Sequence, residues 1–390
     1  MSRPADPIAS RTRIASVDVV RGAVMVFMAL DHVRDFVSRL HFQPEDLSRA
    51  TPALFATRWI THFCAPTFFL LAGVGIGIAM QRGRSVAQMS RFLVTRGLWL
   101  LVLELIITPI GWRFSFHLLP AFALVLWALG WAMIFMAALI RLPHRVLAVV
   151  SLVVVATHNL FDGIAPQAFG SLAWLWTTLH VPGFVIPGVL LVAYPLIPWV
   201  FVMALGFVLA DVYAWEPERR RRALIRWGGA AMALFVVLRA INVYGDPGPW
   251  ASQRTAALTV ASFFNVRKYP PSLLFLLMTL GPALIALALT ENARDRVSRW
   301  LEVYGRVPMF YYVVHIFVAH LAGVLIALVQ GGRLMAIPVI TNPDAIPPWY
   351  GVSLAGVYVA WACVVAAMYY PCRAMGRLKA RRRDWWLSYL

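Results

Sequence analysis

Ten apolar stretches of about 20 residues, joined by short basic connections, constrain this chain more than any other feature. A stretch of that length crosses the hydrocarbon core of a bilayer as a helix, which satisfies its own backbone polar groups. We therefore predict an all-α polytopic membrane protein of about ten transmembrane helices. The predicted spans are 14–34, 57–80, 92–111, 119–140, 146–164, 189–211, 224–243, 270–290, 307–330 and 349–370.

The composition supports membrane insertion. Hydrophobic residues make up 61% of the chain and charged residues 13%, whereas soluble domains carry about 25% charged residues. The net charge of +18 would suit a nucleic-acid ligand, but the basic residues stand in short clusters between the apolar stretches. We therefore predict no nucleic-acid partner and attribute the charge to membrane topology.

The distribution of Lys and Arg predicts the orientation. With ten alternating spans, about 23 basic residues fall on the side of the termini and about 8 on the other side. Because cytoplasmic loops carry the basic excess, we predict that both termini are cytoplasmic (N-in and C-in). We expect one integral-membrane domain over residues 1–390, with 371–390 as a basic cytoplasmic tail.

The first predicted span contains ionisable residues that a bilayer disfavours. Asp18, Arg21, Asp31 and His32 lie within it, and such residues mark functional sites unless they only pair with one another. At 100° per residue, Arg21 and His32 are about 20° apart around the helix and about 16 Å apart along it. One face of this helix is therefore polar along its length, either as a buried ion pair of Asp18 and Arg21 or as part of a site.

His32 is the strongest candidate for chemistry on this face. An imidazole exchanges protons near neutral pH, and Asp31 or Asp35 could orient the ring, although a structural histidine is the alternative. No two histidines are four residues apart beside an acid, and the three cysteines lack ligand spacing, so we predict no metal.

Lys268 is one of two lysines in the chain and precedes the eighth predicted span, next to Tyr269. One interpretation is an interfacial cation at the start of a helix that the following prolines define. The other is a contact with a substrate or with a thioester oxygen.

Several motifs resemble those of transmembrane acyltransferases. The opening helix, with an arginine, ten residues and a histidine from Arg21 to His32, is similar to acyltransferase family three. The wider pattern resembles bacterial relatives of heparan-alpha-glucosaminide N-acetyltransferase. The segments that carry this second resemblance are 61–73, 265–282 and 304–315.

The resemblance implies transfer of an acyl group, specifically acetyl, from cytoplasmic acyl-CoA to a hydroxyl or amine of an outward-facing acceptor such as a saccharide. It also implies a multi-pass protein of a bacterial inner (cytoplasmic) membrane, in contact with the lipid bilayer and compatible with an oligomer. The implied catalytic residues are His32, Asp31, Asp18 and Arg21, and the implied substrate-binding residues are His62, His41, Lys268 and Tyr269.

His32 could act as a general base for the acceptor or as a transient acyl carrier. In the animal enzyme of this family, the residue that corresponds to His32 looks like an asparagine, and the active histidine lies in the loop just beyond it. The comparable loop of this chain contains His41. Two other classes of protein fit the polar helix face. One is a proton-coupled transporter or permease that uses these residues as a relay, and the other is a membrane scaffold without catalysis.

Overall fold

The structure is a computed structural model that describes residues 14–338, 345–382 and 384–389. These residues are mostly helical, with one small sheet. The α-helices are α1 Ala15–Val37, α2 Pro52–Thr61, α3 Cys64–Gln81, α4 Val86–Val102, α5 Thr108–Arg113, α6 Val125–Leu139, α7 His144–Thr157, α8 Ala173–Leu179, α9 Trp199–Leu209, α10 Pro217–Ile241, α11 Ala256–Phe264, α12 Leu273–Leu289, α13 Arg296–Gly305, α14 Pro308–Gly331 and α15 Leu354–Arg381. Shorter elements are a π-helical turn at Leu103–Ile107, 3-10 turns at His158–Phe161, Pro166–Leu172, Ala210–Ala214 and Trp385–Ser388, and strands β1 Ala121–Ala123, β2 Gly183–Ile186 and β3 Leu190–Val192.

The helices confirm an all-α membrane protein. Within the described residues, six helical stretches are long and apolar enough to cross a membrane: Pro52–Gln81, Val86–Arg113, His144–Phe161, Pro217–Ile241, Pro308–Gly331 and Leu354–Arg381. Each of the ten predicted spans contains an α-helix, but α6, α9 and α12 are shorter than about 20 residues. α1 is long enough but carries five charged residues. The count of ten and the orientation stay predictions.

α1 lies at the centre of the helix packing, in contact with α2, α3, α12, α13, α14 and α15. Its crossing with α13 is close because both helices place glycine there. A Cβ on Gly22 would lie 2.0 Å from the carbonyl oxygen of Leu301, and one on Gly305 would lie 1.8 Å from that of Asp18. Small residues at a helix crossing let the backbones approach, as is common inside membranes.

The three-stranded sheet was not predicted from the sequence. Its order is β1–β3–β2, with β1 and β3 parallel in the register Ala121↔Leu190 and β2 antiparallel to β3. Its strands take up the first residues of two predicted spans, so α6 and α9 begin at Val125 and Trp199. The residues after β3 enter the wall of the candidate site.

The predicted basic tail at 371–390 overlaps a helix. α15 continues through Pro371 to Arg381, so the first part of this segment extends the last apolar helix. The first basic side chains of this segment therefore lie on α15.

Candidate active site

Two cavities lie on either side of α1's middle. The first, of about 380 Å³, is lined by Asp31, His32, Arg34, Arg58, Lys268 and Tyr269, among others, and is called the histidine cavity. The second, of about 280 Å³, is lined by Arg21, Arg84 and Arg96 among apolar side chains and is called the arginine cavity. Phe68, Val125 and Tyr312 line both, so the two spaces are adjacent.

The histidine cavity brings together segments that are far apart in the chain. The C-terminal end of α1 meets the start of α3 at Cys64 and the segment that precedes α12 at Lys268. The β3 end contributes Ala193 and Tyr194 to the same wall.

His32 is hydrogen-bonded to a second histidine, His315 of α14. The distance between His32 Nδ1 and His315 Nε2 is 2.7 Å, and His315 Nδ1 lies 2.8 Å from the carbonyl oxygen of Tyr311. A carbonyl oxygen only accepts, so His315 Nδ1 carries a hydrogen. In the neutral ring, His315 Nε2 is then an acceptor, and His32 Nδ1 must donate to it.

This chain of two hydrogen bonds sets the tautomer of His32. Its Nδ1 carries the hydrogen, so its Nε2 holds a lone pair. Among the described residues, that Nε2 has no hydrogen-bond partner, and the ring lines the histidine cavity. Trp112 packs edge-on against it at a centroid distance of 5.1 Å. A fixed, partnerless imidazole nitrogen in a cavity is suited to accept a proton or to attack a carbonyl carbon.

Asp31 belongs to a buried network of charges beside His32. Its carboxylate contacts Arg58 of α2 and lies 2.8 Å from Arg34 Nη2, which also lies 2.6 Å from Asp35. Arg58 Nε donates to Glu45 at 2.6 Å. Because opposite charges alternate through the network, each buried charge has a compensating neighbour.

Glu45 joins the loop between α1 and α2 to this network. Burial opposes its ionisation, but the positive charge of Arg58, with His62 nearby, outweighs burial and holds the pKa of Glu45 well below its ordinary value. Asn265 Nδ2 donates to the backbone carbonyl of Glu45 at 2.9 Å. The loop after α1 is therefore joined to the segment that carries Lys268.

Lys268 and Tyr269 form the opposite wall. Lys268 is 9% exposed, and its Nζ lies 5.2 Å from the centroid of the Tyr269 ring. Burial opposes ionisation of Tyr269, yet Lys268 and Arg58 favour it, so the pKa of Tyr269 lies below its ordinary value. The Tyr269 hydroxyl is 3.4 Å from that of Tyr194. These groups are placed to meet a polar or anionic group in the cavity.

The other two histidines named from the sequence occupy different places. His41 lines the histidine cavity from the loop between α1 and α2, and partial burial lowers the pKa of its imidazole. His62 is fully buried, with Nε2 3.6 Å from Glu45 Oε1, and is not among the residues that line either cavity. His62 thus touches the network through Glu45.

Asp18 and Arg21 form the predicted ion pair. Arg21 Nη1 lies 3.0 Å from Asp18 Oδ1 and donates to the carbonyl of Gly305 at 3.2 Å. Arg21 lines the arginine cavity, whereas Asp18 lines neither cavity. The pair lies at the α1–α13 crossing, away from His32.

Sequence reasoning missed three residues of the site: His315, Arg58 and Glu45. A signal existed for two of them, since His315 and Arg58 are ionisable and lie inside predicted spans. Glu45 lies in a loop between predicted spans, where an acidic residue is common and does not indicate a site. The partners of His32 and Asp31 come from other helices, which spacing along the chain does not reveal.

A comparison with protein-family models identifies the family of this chain. The family described as heparan-alpha-glucosaminide N-acetyltransferase, catalytic, matches residues 13–241, which run from the start of α1 to the end of α10. The match includes His32, Arg58 and the arginine cavity's three arginines, and it ends before Lys268 and His315. No curated protein matches the sequence. Because the matched residues make up more than half of the chain, the protein belongs to the heparan-alpha-glucosaminide N-acetyltransferase catalytic family.

Proposed function

We propose that this protein transfers an acetyl group from acetyl-CoA, bound from the cytoplasm, to a hydroxyl or amine of an outward-facing saccharide. The observation that carries the proposal is the hydrogen-bond chain to His315 and Tyr311, which holds His32 Nδ1 and leaves a lone pair on the Nε2 of a ring that lines the histidine cavity. The membership of an N-acetyltransferase family supports the reaction class. The localisation that we propose with this function is a bacterial inner membrane.

The arginine cavity supports a CoA donor. Arg21, Arg84 and Arg96 line it, and guanidinium groups bind phosphates through paired hydrogen bonds. The apolar remainder of its wall suits the uncharged pantetheine arm. Because Phe68, Val125 and Tyr312 line both cavities, the thioester end would pass these three side chains to reach His32.

The reaction follows from the tautomer of His32. The acceptor hydroxyl or amine donates its hydrogen to His32 Nε2 and attacks the thioester carbonyl carbon. The new C–O or C–N bond forms, the C–S bond breaks, and the imidazolium returns the proton to the leaving CoA sulfur. Lys268 lines the same cavity, and its ammonium group would stabilise the negative carbonyl oxygen of the intermediate. Alternatively, Nε2 attacks first and carries the acetyl group to the acceptor.

The test is acyl transfer by the purified full-length chain in lipid nanodiscs. Release of CoA thiol from acetyl-CoA is followed with and without glucosamine-type acceptors. We expect His32→Ala and His32→Gln to lower kcat by about 10²–10⁴-fold, the usual contribution of a general base, with donor binding retained. His117→Ala is the matched control, because His117 is an exposed histidine that lines neither cavity.

Two results would contradict the proposal. If His32→Ala transfers at the wild-type rate while His41→Ala or His62→Ala abolishes transfer, the reacting histidine is another one. If vesicles accumulate a substrate in response to a proton gradient and the protein consumes no thioester, the protein is a proton-coupled transporter.

A further inference from the structure

A second cluster of ligand-type side chains lies outside both cavities. His158 stands directly after α7, Asp162 follows one turn later, and His180 ends α8. One potential ligand atom from each lies within 4.8 Å of the other two, and His180 Nε2 is 3.0 Å from Asp162 Oδ1. No other group of three such residues occurs within the ranges that the structure describes.

His158 is the feature that asks for a ligand. It is 3% exposed, and neither of its ring nitrogens has a hydrogen-bond partner among the described residues. A buried polar group without a partner costs about 1–3 kcal/mol, so native proteins supply one. An ion or a water molecule bound between the three side chains would satisfy it.

The surroundings hold the cluster in place. Asn159 Nδ2 donates to Asp162 Oδ2 at 2.8 Å, and Asn159 Oδ1 accepts from the Leu273 backbone N–H at 2.8 Å. The Trp176 ring packs on His180 at a centroid distance of 4.9 Å. Residues that orient metal ligands in this way are typical of metal sites.

We propose that His158, Asp162 and His180 bind a divalent transition metal ion, Zn²⁺ being the best match to two imidazoles and one carboxylate. Zinc takes such ligands at about 2.0–2.2 Å in a tetrahedron, which separates ligand atoms by about 3.4 Å. His180 Nε2 and Asp162 Oδ1 are 3.0 Å apart and the three atoms lie within 4.8 Å of one another, so side-chain rotations that even out these distances would be needed to complete the tetrahedron. A solvent molecule fills the fourth position.

The ion would hold the segment before β2 close to α12, the helix that follows Lys268. His180 and the backbone of Leu196 and Ile197 are linked through α8, because Leu196 N–H donates to Thr178 and Ile197 N–H donates to Leu179. Asn159 connects the other side of the cluster to the start of α12. The proposed site thus connects the segment before β2 to the start of α12, beside the histidine cavity. Its three ligands do not line that cavity.

The experiment measures metal directly and needs no acyl transfer. Full-length protein without a polyhistidine tag is stripped with EDTA, dialysed and titrated with Zn²⁺ by calorimetry and with Co²⁺ by visible absorption. We expect one ion per chain and a tetrahedral Co²⁺ band. His158→Ala and His180→Ala should remove this binding, and Asp162→Asn, which keeps the side-chain shape, should weaken it at least 10-fold.

His144→Ala is the matched control. His144 Nδ1 lies 2.7 Å from Asp211 in a His–Asp pair that is exposed and that has no third ligand among the described residues. Its removal should leave binding unchanged. The proposal is overturned if the wild-type protein binds neither ion at 100 µM (about the upper limit for a specific site). It is also overturned if Asp162→Asn and His158→Ala bind as the wild type does.

Discussion

The histidine cavity and the arginine cavity share α1 but differ in how their charges are compensated. In the histidine cavity, Asp31 is held between Arg34 and Arg58, and Glu45 extends the alternation, so charge serves to fix geometry. In the arginine cavity, Arg21, Arg84 and Arg96 gather among apolar residues, and Asp18 pairs with Arg21. The compensated charges of the histidine cavity suit a reaction at an imidazole that is held in one orientation. The gathered arginines of the arginine cavity suit an anionic ligand.

Two histidines of α14 differ in whether their hydrogen bonds serve the fold or the site. His320 uses both ring nitrogens on the backbone, at the Gly111 carbonyl and at the Ile337 N–H, and stacks on Phe36. His315 uses one nitrogen on the backbone and offers the other to His32. His320 is therefore structural, whereas His315 passes its orientation on to the cavity.

The largest effect is expected in a test of the membrane orientation, on which the assignment of the two cavities to opposite faces depends. In a Cys363→Ser background, where the remaining native Cys64 and Cys372 are buried, Ser252→Cys should label from outside intact cells with an impermeant maleimide. Arg221→Cys should label only after permeabilisation, because the basic clusters are predicted to be cytoplasmic. Labelling of Arg221→Cys from outside would reverse the orientation and exchange the roles of the cavities.

The next effect concerns the orientation of His32. His315→Phe removes the acceptor for His32 Nδ1–H, so the tautomer with a lone pair at Nε2 is no longer imposed. We expect kcat to fall by about 10²-fold or more with the KM for acetyl-CoA little changed.

His315→Gln tests the same point, because it restores an acceptor oxygen and should recover part of the lost kcat. A role for His315 in packing alone predicts no recovery, and a drop in thermal stability that matches the drop in activity.

A smaller effect is expected in the arginine cavity. Arg96→Ala should raise the KM for acetyl-CoA by about 10-fold, or about 1.4 kcal/mol, and leave kcat near the wild-type value. An acetyl thioester that lacks the nucleotide phosphates should be used equally well by both proteins. Arg91→Ala is the control, since Arg91 is exposed on the same helix outside this cavity.

Equal losses for acetyl-CoA and for the short thioester would show that Arg96 supports the fold rather than phosphate binding. The same losses in Arg91→Ala would point to the charge of α4 as a whole. Either result would remove the distinction between the two cavities.

The smallest effect concerns the charge network. Glu45→Gln should lower the free energy of unfolding by about 1 kcal/mol at pH 7, because a charged partner of Arg58 is lost. The pKa of Glu45 is lower in the folded than in the unfolded chain, so its contribution is present above pH 4.5 and disappears as the pH falls through the folded value.

The measurement is chemical unfolding in detergent across pH 3–8, with Glu218→Gln as the control. Glu218 forms an exposed pair with Arg222 at 3.5 Å, and such pairs contribute little. A Glu45→Gln deficit that grows as the pH falls below 4.5 would contradict the network.

Much of the fold could be predicted because hydropathy is a local property. Each of the ten apolar segments contains a helix, and Asp18 and Arg21, three residues apart, form the expected pair. The short sheet could not be foreseen, since β1 and β3 pair across nearly 70 residues and resemble the apolar starts of spans. The lengths of α6 and α9 were overestimated for the same reason.

By itself, the sequence determined the helical membrane architecture, the family and the polar face of α1, because all three depend on residue types and their spacing along the chain. Only the tertiary structure decided which side chains meet. His32 and His315 are 283 positions apart, and Arg58 reaches Asp31 from another helix. The tautomer of a histidine is set by the hydrogen bond that its other nitrogen makes, and that partner is chosen by helix packing.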